Sequence, residues 1–157
     1  MQRGRVILRI LFVCTGNTCR SCMAEAIFNK FCNIEGVLAF SAGLSVVPES
    51  ITSKNSALLV KENLDMDLAS RKAVQLTEEM IEEAELILTM TSYMADIIKN
   101  KFKQHKSKVY PLNEYVSLGK DITDPYGGDI NIYTNTFNDL KESIELLIKK
   151  LQDKGID

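Results

Sequence analysis

The sequence has little of three features that would each point to a particular class of protein. Its one histidine, His105, lies in the lysine-rich segment 101–108, so we expect a surface residue, which argues against a Cys-His hydrolase. Nineteen basic and twenty-one acidic residues leave a net charge of -2, which gives no reason to expect nucleic acid or an anionic membrane as a partner. No apolar run approaches the length of about 18 residues that a membrane span requires.

The N-terminus superficially resembles a signal peptide, because Arg3 and Arg5 precede an apolar stretch. However, Arg9 interrupts that stretch, and no small-residue cleavage site follows it. We therefore expect a cytoplasmic protein, in which the four cysteines form no structural disulfides. The length of 157 residues and the lack of linkers, repeats or low-complexity tracts predict a single domain, residues 1–157.

The segment from Ile10 to Ser21 combines an apolar run, a short polar loop and the start of an amphipathic pattern. It predicts a strand, a turn at Gly16 and a helix, with Cys14 and Arg20 at the two ends of the turn. The loop N–H groups and the first turn of such a helix have no backbone acceptors, and they converge with the positive end of the helix dipole. The segment therefore predicts a cradle for an anion.

Cys14 and Arg20 suit this cradle to phosphoryl transfer. Helix N-termini and neighbouring guanidinium groups favour the thiolate form of a cysteine, so we expect Cys14 to act as a nucleophile. Arg20 can hold two equatorial phosphoryl oxygens bidentately while the sulfur approaches in line. The backbone N–H groups of residues 15–20 would stabilise the charge that develops on those oxygens.

The motif Cys-Thr-Gly-Asn-Thr-Cys-Arg-Ser at residues 14–21, with Met-Ala-Glu at 23–25 and Asp-Pro-Tyr-Gly-Gly at 124–128, resembles the low-molecular-weight protein tyrosine phosphatase family. More narrowly, it resembles the bacterial protein arginine phosphatase branch, and the likeness runs from Val6 to the last helix. The resemblance implies a hydrolase of phosphoric monoesters or phosphoramidates that forms a cysteinyl-phosphate. It also implies phosphorylated proteins as substrates, phosphate and other oxyanions as inhibitors, and no cofactor or metal.

The resemblance also assigns roles to residues of this chain. Cys14, Arg20 and Asp124 are the expected catalytic residues, with Asp124 protonating the leaving group and then activating water. Asn17 braces the loop, and Ser21 donates a hydrogen bond to the thiolate. The expected substrate-binding residues are Thr15, Gly16, Asn17, Thr18, Cys19, Ser21 and Tyr126.

Two positions in this motif carry further information. At the position of Thr18 the tyrosine-directed branch typically has Ile and the arginine-directed branch has Thr. A hydroxyl there suits a polar guanidinium, although Thr18 can also simply bond its own loop. The family usually has Pro where this chain has Cys22, and we interpret both Cys22 and Cys32 as small buried hydrophobic residues.

Several different functions stay open on the residues alone. Cys14, Cys19 and Cys22 have the spacing of plant-type ferredoxin ligands, with Cys32 as a fourth ligand, which would make the protein an iron-sulfur electron carrier. An arsenate reductase of the same fold would need further cysteines, but the chain has none after Cys32. A protein tyrosine phosphatase and a non-catalytic phosphate-binding module also remain possible. Cys14 and Cys19 are also close enough in one loop to form a reversible disulfide.

Four short segments are predicted to be strands, namely residues 6–13, 37–41, 86–90 and 107–112. Because they alternate with helical patterns, they predict an α/β fold of three layers, with a parallel sheet covered by helices on both faces. The family resemblance implies a four-stranded sheet in the order 2-1-3-4. Since ligands bind at the carboxyl ends of such strands, the loop after the fourth strand should bring Asp124 over Cys14.

The helices are predicted from apolar periodicity and capping residues. The first begins at Arg20 and buries Met23, Ile27 and Phe31. The second opens at Pro48 and Ser50 and reaches about Leu64, with Ile51, Leu58 and Leu59 in the core, and two more begin after Thr77 and at a Ser92 cap. The last buries Tyr133, Phe137, Leu140, Ile144, Leu147 and Leu151. We interpret Arg71, in the pair Ser70-Arg71, as a solvated charge.

Overall fold

The computed structural model describes residues 8–154, in which four parallel strands form one sheet between two layers of helices. The elements are β1 (Leu8–Cys14), α1 (Arg20–Phe31), β2 (Val37–Gly43), α2 (Lys54–Leu64), α3 (Glu78–Glu83), β3 (Leu86–Thr89), α4 (Ser92–Lys101), a 3-10 helix (Lys103–Lys108), β4 (Val109–Pro111), α5 (Leu112–Tyr115) and α6 (Ile130–Asp153). The strand order is β2-β1-β3-β4. The predicted fold class and strand order are therefore confirmed.

The alternation of side chains along β1 explains why both faces of the sheet are covered. Ile10 and Phe12 belong to a large apolar cluster with α1, α2 and α6. Leu11 and Val13 point the other way, into a smaller cluster with α3 and α4. Since β1 lies in the middle of the sheet, its carboxyl end at Cys14 is surrounded by the loops that follow the neighbouring strands.

The final helix follows its sequence pattern closely. All six residues predicted to face the core are buried, at gaps of three and four residues along α6 (Tyr133, Phe137, Leu140, Ile144, Leu147 and Leu151). The helix begins where the Asp129 side chain accepts the N–H of Ile132 at 3.0 Å. Tyr133, in the first turn of α6, lines the same cleft as Cys14, the last residue of β1.

Several predicted boundaries are wrong by a few residues. β2 runs on to Gly43, β3 ends at Thr89, and β4 has three residues because the 3-10 helix takes the two before it. Thr91, one residue before the predicted Ser92, caps α4. Residues 6 and 7 of the predicted first strand, and Arg3 and Arg5 before them, lie outside the described residues.

The second helix shows the largest difference from the prediction. It begins at Lys54 and not near Pro48, because the Ser53 hydroxyl accepts the N–H of Ser56 and so caps the helix there. Ile51 instead pairs with Lys72 in an isolated antiparallel bridge. Ile51 is 48% exposed and Leu58 is 43% exposed, so both predicted core positions are wrong, whereas Leu59 is buried.

Phe31, the third residue predicted to face the core on α1, is 45% exposed, so this prediction is also wrong. It is the last residue of α1, and the ammonium group of Lys141 lies 5.8 Å from the centre of its ring. The apolar residues of α1 have the predicted spacing, but Phe31, at the end of the helix, lies beyond the edge of the core.

Among residues 8–154, no helix is both long and apolar enough to cross a membrane.

Candidate active site

The loop between β1 and α1 lies where the sequence predicts it. Cys14 ends β1, residues 15–19 form the loop, and Arg20 is the first residue of α1. The residue that turns the loop is not Gly16, as predicted, but Asn17, whose φ of 59° places it in the left-handed region. Asn tolerates this conformation better than most residues. Its backbone N–H consequently donates to Cys14 Sγ at 3.2 Å.

The start of α1 differs from the starts of the other long helices. Ser53, Thr91 and Asp129 cap α2, α4 and α6 with their side chains. Cys19 occupies the same position before α1, and its side chain makes no capping hydrogen bond within residues 8–154. The first N–H groups of α1 therefore keep their capacity to bind an anion in the loop.

The sulfur of Cys14 is held by a second contact. Ser21 Oγ lies 2.9 Å from it. Asn17 Nδ2 donates to the same Ser21 oxygen at 2.7 Å. Because that oxygen accepts from Asn17, its own proton is free to be donated to the sulfur. Both Ser21 and the Asn17 N–H therefore present donors that stabilise a thiolate.

The side-chain amide of Asn17 is fully buried, and its orientation is fixed by its partners. Its oxygen lies 3.0 Å from Arg71 Nη1 and 2.8 Å from the Val74 N–H. Both of these groups can only donate, so the atom that faces them must be the acceptor oxygen. The amide nitrogen must then point at the hydroxyls of Ser21 and Ser41, at 2.7 and 3.0 Å.

Arg71 is not the solvated charge that we predicted. Its side chain is 18% exposed and forms an ion pair with Glu25 at 3.4 Å. Arg71 Nη2 also donates to Ser41 Oγ at 2.9 Å, and Ser41 in turn donates to Glu25 at 2.6 Å. A continuous chain of hydrogen bonds thus runs from Glu25 and Arg71 through Asn17 and Ser21 to the sulfur of Cys14. No sequence pattern indicates this chain, because its members are far apart.

Arg20 and Asp124 meet at the mouth of the loop. Arg20 Nη1 donates to the carbonyl of Ile122 at 3.0 Å, which holds the buried guanidinium in place. Arg20 Nη2 lies 3.6 Å from Asp124 Oδ2, and the Asp124 side chain is 54% exposed. Such a long and hydrated ion pair is weak, so little is lost when Arg20 turns to a phosphoryl group. The other oxygen of Asp124 accepts the N–H of Tyr126 at 3.0 Å.

One open cleft of about 760 Å³ contains most of the predicted site residues. Those that line it are Cys14, Thr15, Gly16, Thr18, Cys19, Arg20, Asp124 and Tyr126. Asn17 and Ser21 do not line it, because both are fully buried behind the loop. The structure adds Val47, Ile51, Ser53 and Tyr133 to the walls of the cleft. The sequence does not predict that Val47, Ile51 and Ser53 lie there, because they are ordinary apolar or helix-capping residues.

Thr18 and Cys19 connect the loop to neighbouring helices. The carbonyl of Thr18 accepts the N–H of Ser53 at 2.9 Å, next to the start of α2. Cys19 Sγ lies 3.4 Å from the hydroxyl of Tyr133. Burial and the contact with Cys19 raise the pKa of Tyr133 to about 12, so its hydroxyl stays protonated at neutral pH. The hydroxyl of Thr18 makes only a long contact of 3.7 Å with Cys19 Sγ.

All four cysteines are free thiols. Cys22 is fully buried and donates to the carbonyl of Cys19 at 3.3 Å. Burial raises the pKa of the Cys22 thiol far above its usual range, with the nearby Cys14 adding to the effect. Cys32 is half-buried, and burial raises its pKa as well.

No three metal-binding side chains of residues 8–154 are grouped to hold an ion, so the ferredoxin-like ligand set does not form there. The disulfide between Cys14 and Cys19 stays a prediction.

Gly43 allows the end of β2 to approach the loop closely. It pairs with Cys14 in the sheet, and a Cβ atom added to it would lie 2.7 Å from the carbonyl oxygen of Thr15. The following residues, Leu44 and Ser45, donate their N–H groups to the carbonyls of Cys14 and Thr15, both at 2.9 Å. A side chain at this position would therefore displace the loop.

Comparisons with known proteins agree with this geometry. A family model described as low molecular weight phosphotyrosine protein phosphatase matches residues 9–156. A protein-arginine-phosphatase of Bacillus subtilis is 40% identical over 147 residues, which cover 91% of this chain and 96% of the relative. The low molecular weight protein-tyrosine-phosphatase PtpB of Staphylococcus haemolyticus is 38% identical over 153 residues, which cover 92% and 98%.

A solved structure of the YwlE arginine phosphatase, a mutant with a phosphorylated active-site serine, has the same fold. Its TM-score is 0.85 at 36% identity, and the match covers 96% of this chain and 100% of that chain. The arginine phosphatases of Bacillus subtilis and Geobacillus stearothermophilus are 40% and 41% identical to this chain, and the PtpB enzymes of three Staphylococcus species are 33% to 38% identical. Sequence identity therefore favours the arginine-directed enzymes by a few percentage points, and the residues of the cleft give a further test.

Proposed function

Because the chain belongs to the low molecular weight phosphotyrosine protein phosphatase family, we propose that it is a phosphatase that removes phosphoryl groups from phosphoarginine in proteins through a cysteinyl-phosphate on Cys14. The observation that carries the proposal is the environment of the Cys14 sulfur, which receives donors from Ser21 and Asn17. Arg20 and Asp124 lie in the same cleft. The arginine-phosphatase names of similar proteins support phosphoarginine as the substrate.

In the first step the Cys14 thiolate attacks the phosphorus in line with the leaving nitrogen. The S–P bond forms and the P–N bond breaks, and Asp124 donates its proton to the departing guanidine nitrogen. Arg20 and the loop N–H groups hold the three equatorial oxygens, where charge spreads in the transition state. The exposed position of Asp124 at the cleft mouth suits a group that must meet the leaving side chain.

In the second step water attacks the phosphorus of the cysteinyl-phosphate. Asp124, now a carboxylate, takes a proton from that water, and the S–P bond breaks to release phosphate and the thiolate. Ser21 and the Asn17 N–H lie at 2.9 and 3.2 Å from the sulfur, so they stabilise the negative charge that returns to it. Phosphate and orthovanadate are expected to inhibit competitively, since both fit the same oxyanion donors.

Replacing Asp124 with asparagine tests the proton transfer. The amide cannot donate a proton to the leaving group, so we expect kcat/KM for phosphoarginine to fall by about 10² to 10⁴. An activated aryl phosphate needs little protonation and should be affected much less. The measurement is kcat/KM for both substrates in the two proteins, because kcat/KM reports the first step and not the hydrolysis of the cysteinyl-phosphate, which is common to both substrates. Asp121→Asn is the control, since Asp121 holds the start of α4 and not the cleft. An equal loss on both substrates would show that Asp124 is not the general acid.

Replacing Thr18 with isoleucine tests the choice between arginine and tyrosine. Ile replaces the hydroxyl with an ethyl group on the cleft wall, and a polar guanidinium left unpaired there costs about 1 to 3 kcal/mol. We therefore expect kcat/KM to fall for phosphoarginine and to rise for phosphotyrosine. Thr134→Ile is the control, since Thr134 lies on α6 outside the cleft and its hydroxyl donates to the carbonyl of Ile130; it should leave the ratio unchanged. An unchanged ratio of the two kcat/KM values would show that Thr18 does not set the specificity.

Replacing Arg71 with glutamine tests the chain of hydrogen bonds behind the loop. The change removes the charged donor to Asn17 and leaves Glu25 without its ion pair, so we expect kcat to fall about tenfold. Lys72→Gln is the matched control, because Lys72 forms an exposed ion pair with Glu49. The double variant Arg71→Gln, Asn17→Ala should lose no more than Asn17→Ala alone, since both changes break the same chain. Additive losses would mean that Arg71 acts independently of Asn17.

A further inference from the structure

A second groove lies beside the active-site cleft, along the outer side of α2. We call it the α2 groove; Ile51, Lys54, Leu58, Lys61, Asp67 and Ala69 are among the residues that line it. Its walls are mainly apolar, although it is open to solvent. Neither Ile51 nor Leu58 has a role in the core, since both side chains are about half exposed.

The α2 groove adjoins the active-site cleft. Ile51 and Ser53 line both of them, so the apolar surface of α2 begins at the wall of the cleft that faces the loop of residues 15–19, which we call the phosphate loop. Val47 and Tyr126, on the rim of the cleft, are also exposed, at 67% and 81%. Exposed apolar residues that are contiguous with a binding site commonly mark a contact surface.

The groove is also preformed at the point where it joins the cleft. Ile51 is held by its bridge with Lys72, and the N–H of the following residue, Thr52, donates to the carbonyl of Arg71 at 3.0 Å. Ser53 donates its N–H to Thr18 in the phosphate loop. The groove therefore keeps a fixed position relative to Cys14. A ligand that binds in it would not have to order this part of the protein, so the entropic cost of binding would be small.

One charged side chain of the groove has no charged partner of its own. Lys61 is paired with Asp65 at 3.2 Å, and the carboxylate of Asp67, which also lines the groove, accepts the N–H of Ala69 at 2.9 Å. Lys54, next to the Ser53 that the groove shares with the cleft, has no ion pair among residues 8–154. Both lysines carry long aliphatic stems that can extend the apolar surface around Leu58. A ligand with an apolar side chain next to a carboxylate could thus place the apolar group against Leu58 and the carboxylate against Lys54.

We propose that the α2 groove binds the polypeptide segment that flanks the phosphorylated residue of a protein substrate, and that it selects a large apolar side chain next to an acidic one. The proposal rests on the proposed function in that the substrate is a phosphoprotein. The phosphate loop itself can hold no more than the phosphoryl group and its side chain, so the flanking chain must lie on a neighbouring surface. The α2 groove is an apolar surface that shares walls with the cleft.

The test uses a set of phosphopeptides of equal length, each with a central phosphoarginine in a Gly/Ser background. A Leu-Glu pair is moved through the flanking positions, and kcat/KM is measured for each peptide and for free phosphoarginine. We expect the pair to raise kcat/KM roughly five- to tenfold at one position, through a lower KM. Leu58→Ser should remove most of this gain, and Lys54→Gln should remove the part that depends on Glu. Neither should change the rate on free phosphoarginine.

The controls are Leu146→Ser and Lys149→Gln on α6, since Leu146 is a comparably exposed leucine and Lys149 an exposed lysine. Both should keep the full gain. The same peptides with a central phosphotyrosine separate this proposal from the proposed function, because a positional gain with phosphotyrosine alone would support the groove and refute phosphoarginine as substrate. A wild-type enzyme indifferent to the Leu-Glu pair at every position, or a Leu58→Ser enzyme that keeps the gain, would overturn the proposal.

Discussion

Replacing Cys14 with serine is expected to abolish steady-state turnover, with a loss on the order of 10⁵-fold or more. A serine hydroxyl is a far weaker nucleophile than a thiolate at neutral pH, and as a phosphoserine it is a much poorer leaving group. The donors around the position survive the change, because the loop N–H groups and Arg20 do not depend on the sulfur. The variant should therefore still bind phosphopeptide while failing to release phosphate.

The measurement is phosphate release by purified Cys14→Ser, together with peptide binding by calorimetry. Cys32→Ser is the matched control, since Cys32 is half-buried at the far end of α1, and it should keep full activity. A related mutant enzyme has been seen with a phosphorylated active-site serine, so intact mass measurement of Cys14→Ser after incubation with substrate should reveal at most one added phosphoryl group. Sustained turnover by the variant would refute the covalent step.

Replacing Arg20 with lysine is expected to lower kcat by about 10² to 10³, although the positive charge is kept. The ammonium group cannot hold two equatorial oxygens in the geometry of a planar guanidinium. It also cannot keep both present contacts of Arg20, one with the Ile122 carbonyl and one with Asp124. We therefore expect both weaker binding of inorganic phosphate and a slower chemical step.

The experiment compares kcat and the inhibition constant of phosphate for Arg20→Lys and for the control Arg9→Lys. Arg9 has an exposed side chain on the same strand that leads into the loop, so its replacement should change neither value. Because Arg20 is buried, the melting temperature of Arg20→Lys should be measured as well. A well-folded Arg20→Lys enzyme with a near-normal rate would mean that Arg20 is not the phosphate clamp.

Much of the fold can be predicted from the sequence because its signals are local. The last helix keeps one apolar face over about five turns, from Tyr133 to Leu151, and the continuous apolar run before Cys14 identifies a central strand. Phe31 and Leu58 cannot be placed in the same way. Periodicity shows which residues share a face of a helix, but it does not show how far the neighbouring layer extends, and both residues lie beyond its edge.

The candidate site is predictable where it is a single segment and unpredictable where it is assembled from distant ones. Cys14 and Arg20 come from one loop, and the family motif identifies Asp124. Arg71 is 54 residues from Asn17 in sequence, and its sequence neighbours do not indicate that its guanidinium group is mostly buried and paired with a carboxylate. Its partner Glu25 lies within the family motif, but the motif does not say which cation it meets. Only the packing of the loop after α2 against β2 and α1 brings these side chains together.

The measurement that tests the central claim most directly is hydrolysis of phosphoarginine and phosphotyrosine side by side, by the same purified enzyme in the presence of EDTA. The proposed mechanism needs no metal ion and places a hydroxyl at Thr18, so we expect activity to be undiminished in EDTA and phosphoarginine to have the higher kcat/KM. A protein that hydrolyses phosphotyrosine and leaves phosphoarginine intact, or one whose activity disappears in EDTA, would contradict the proposed function.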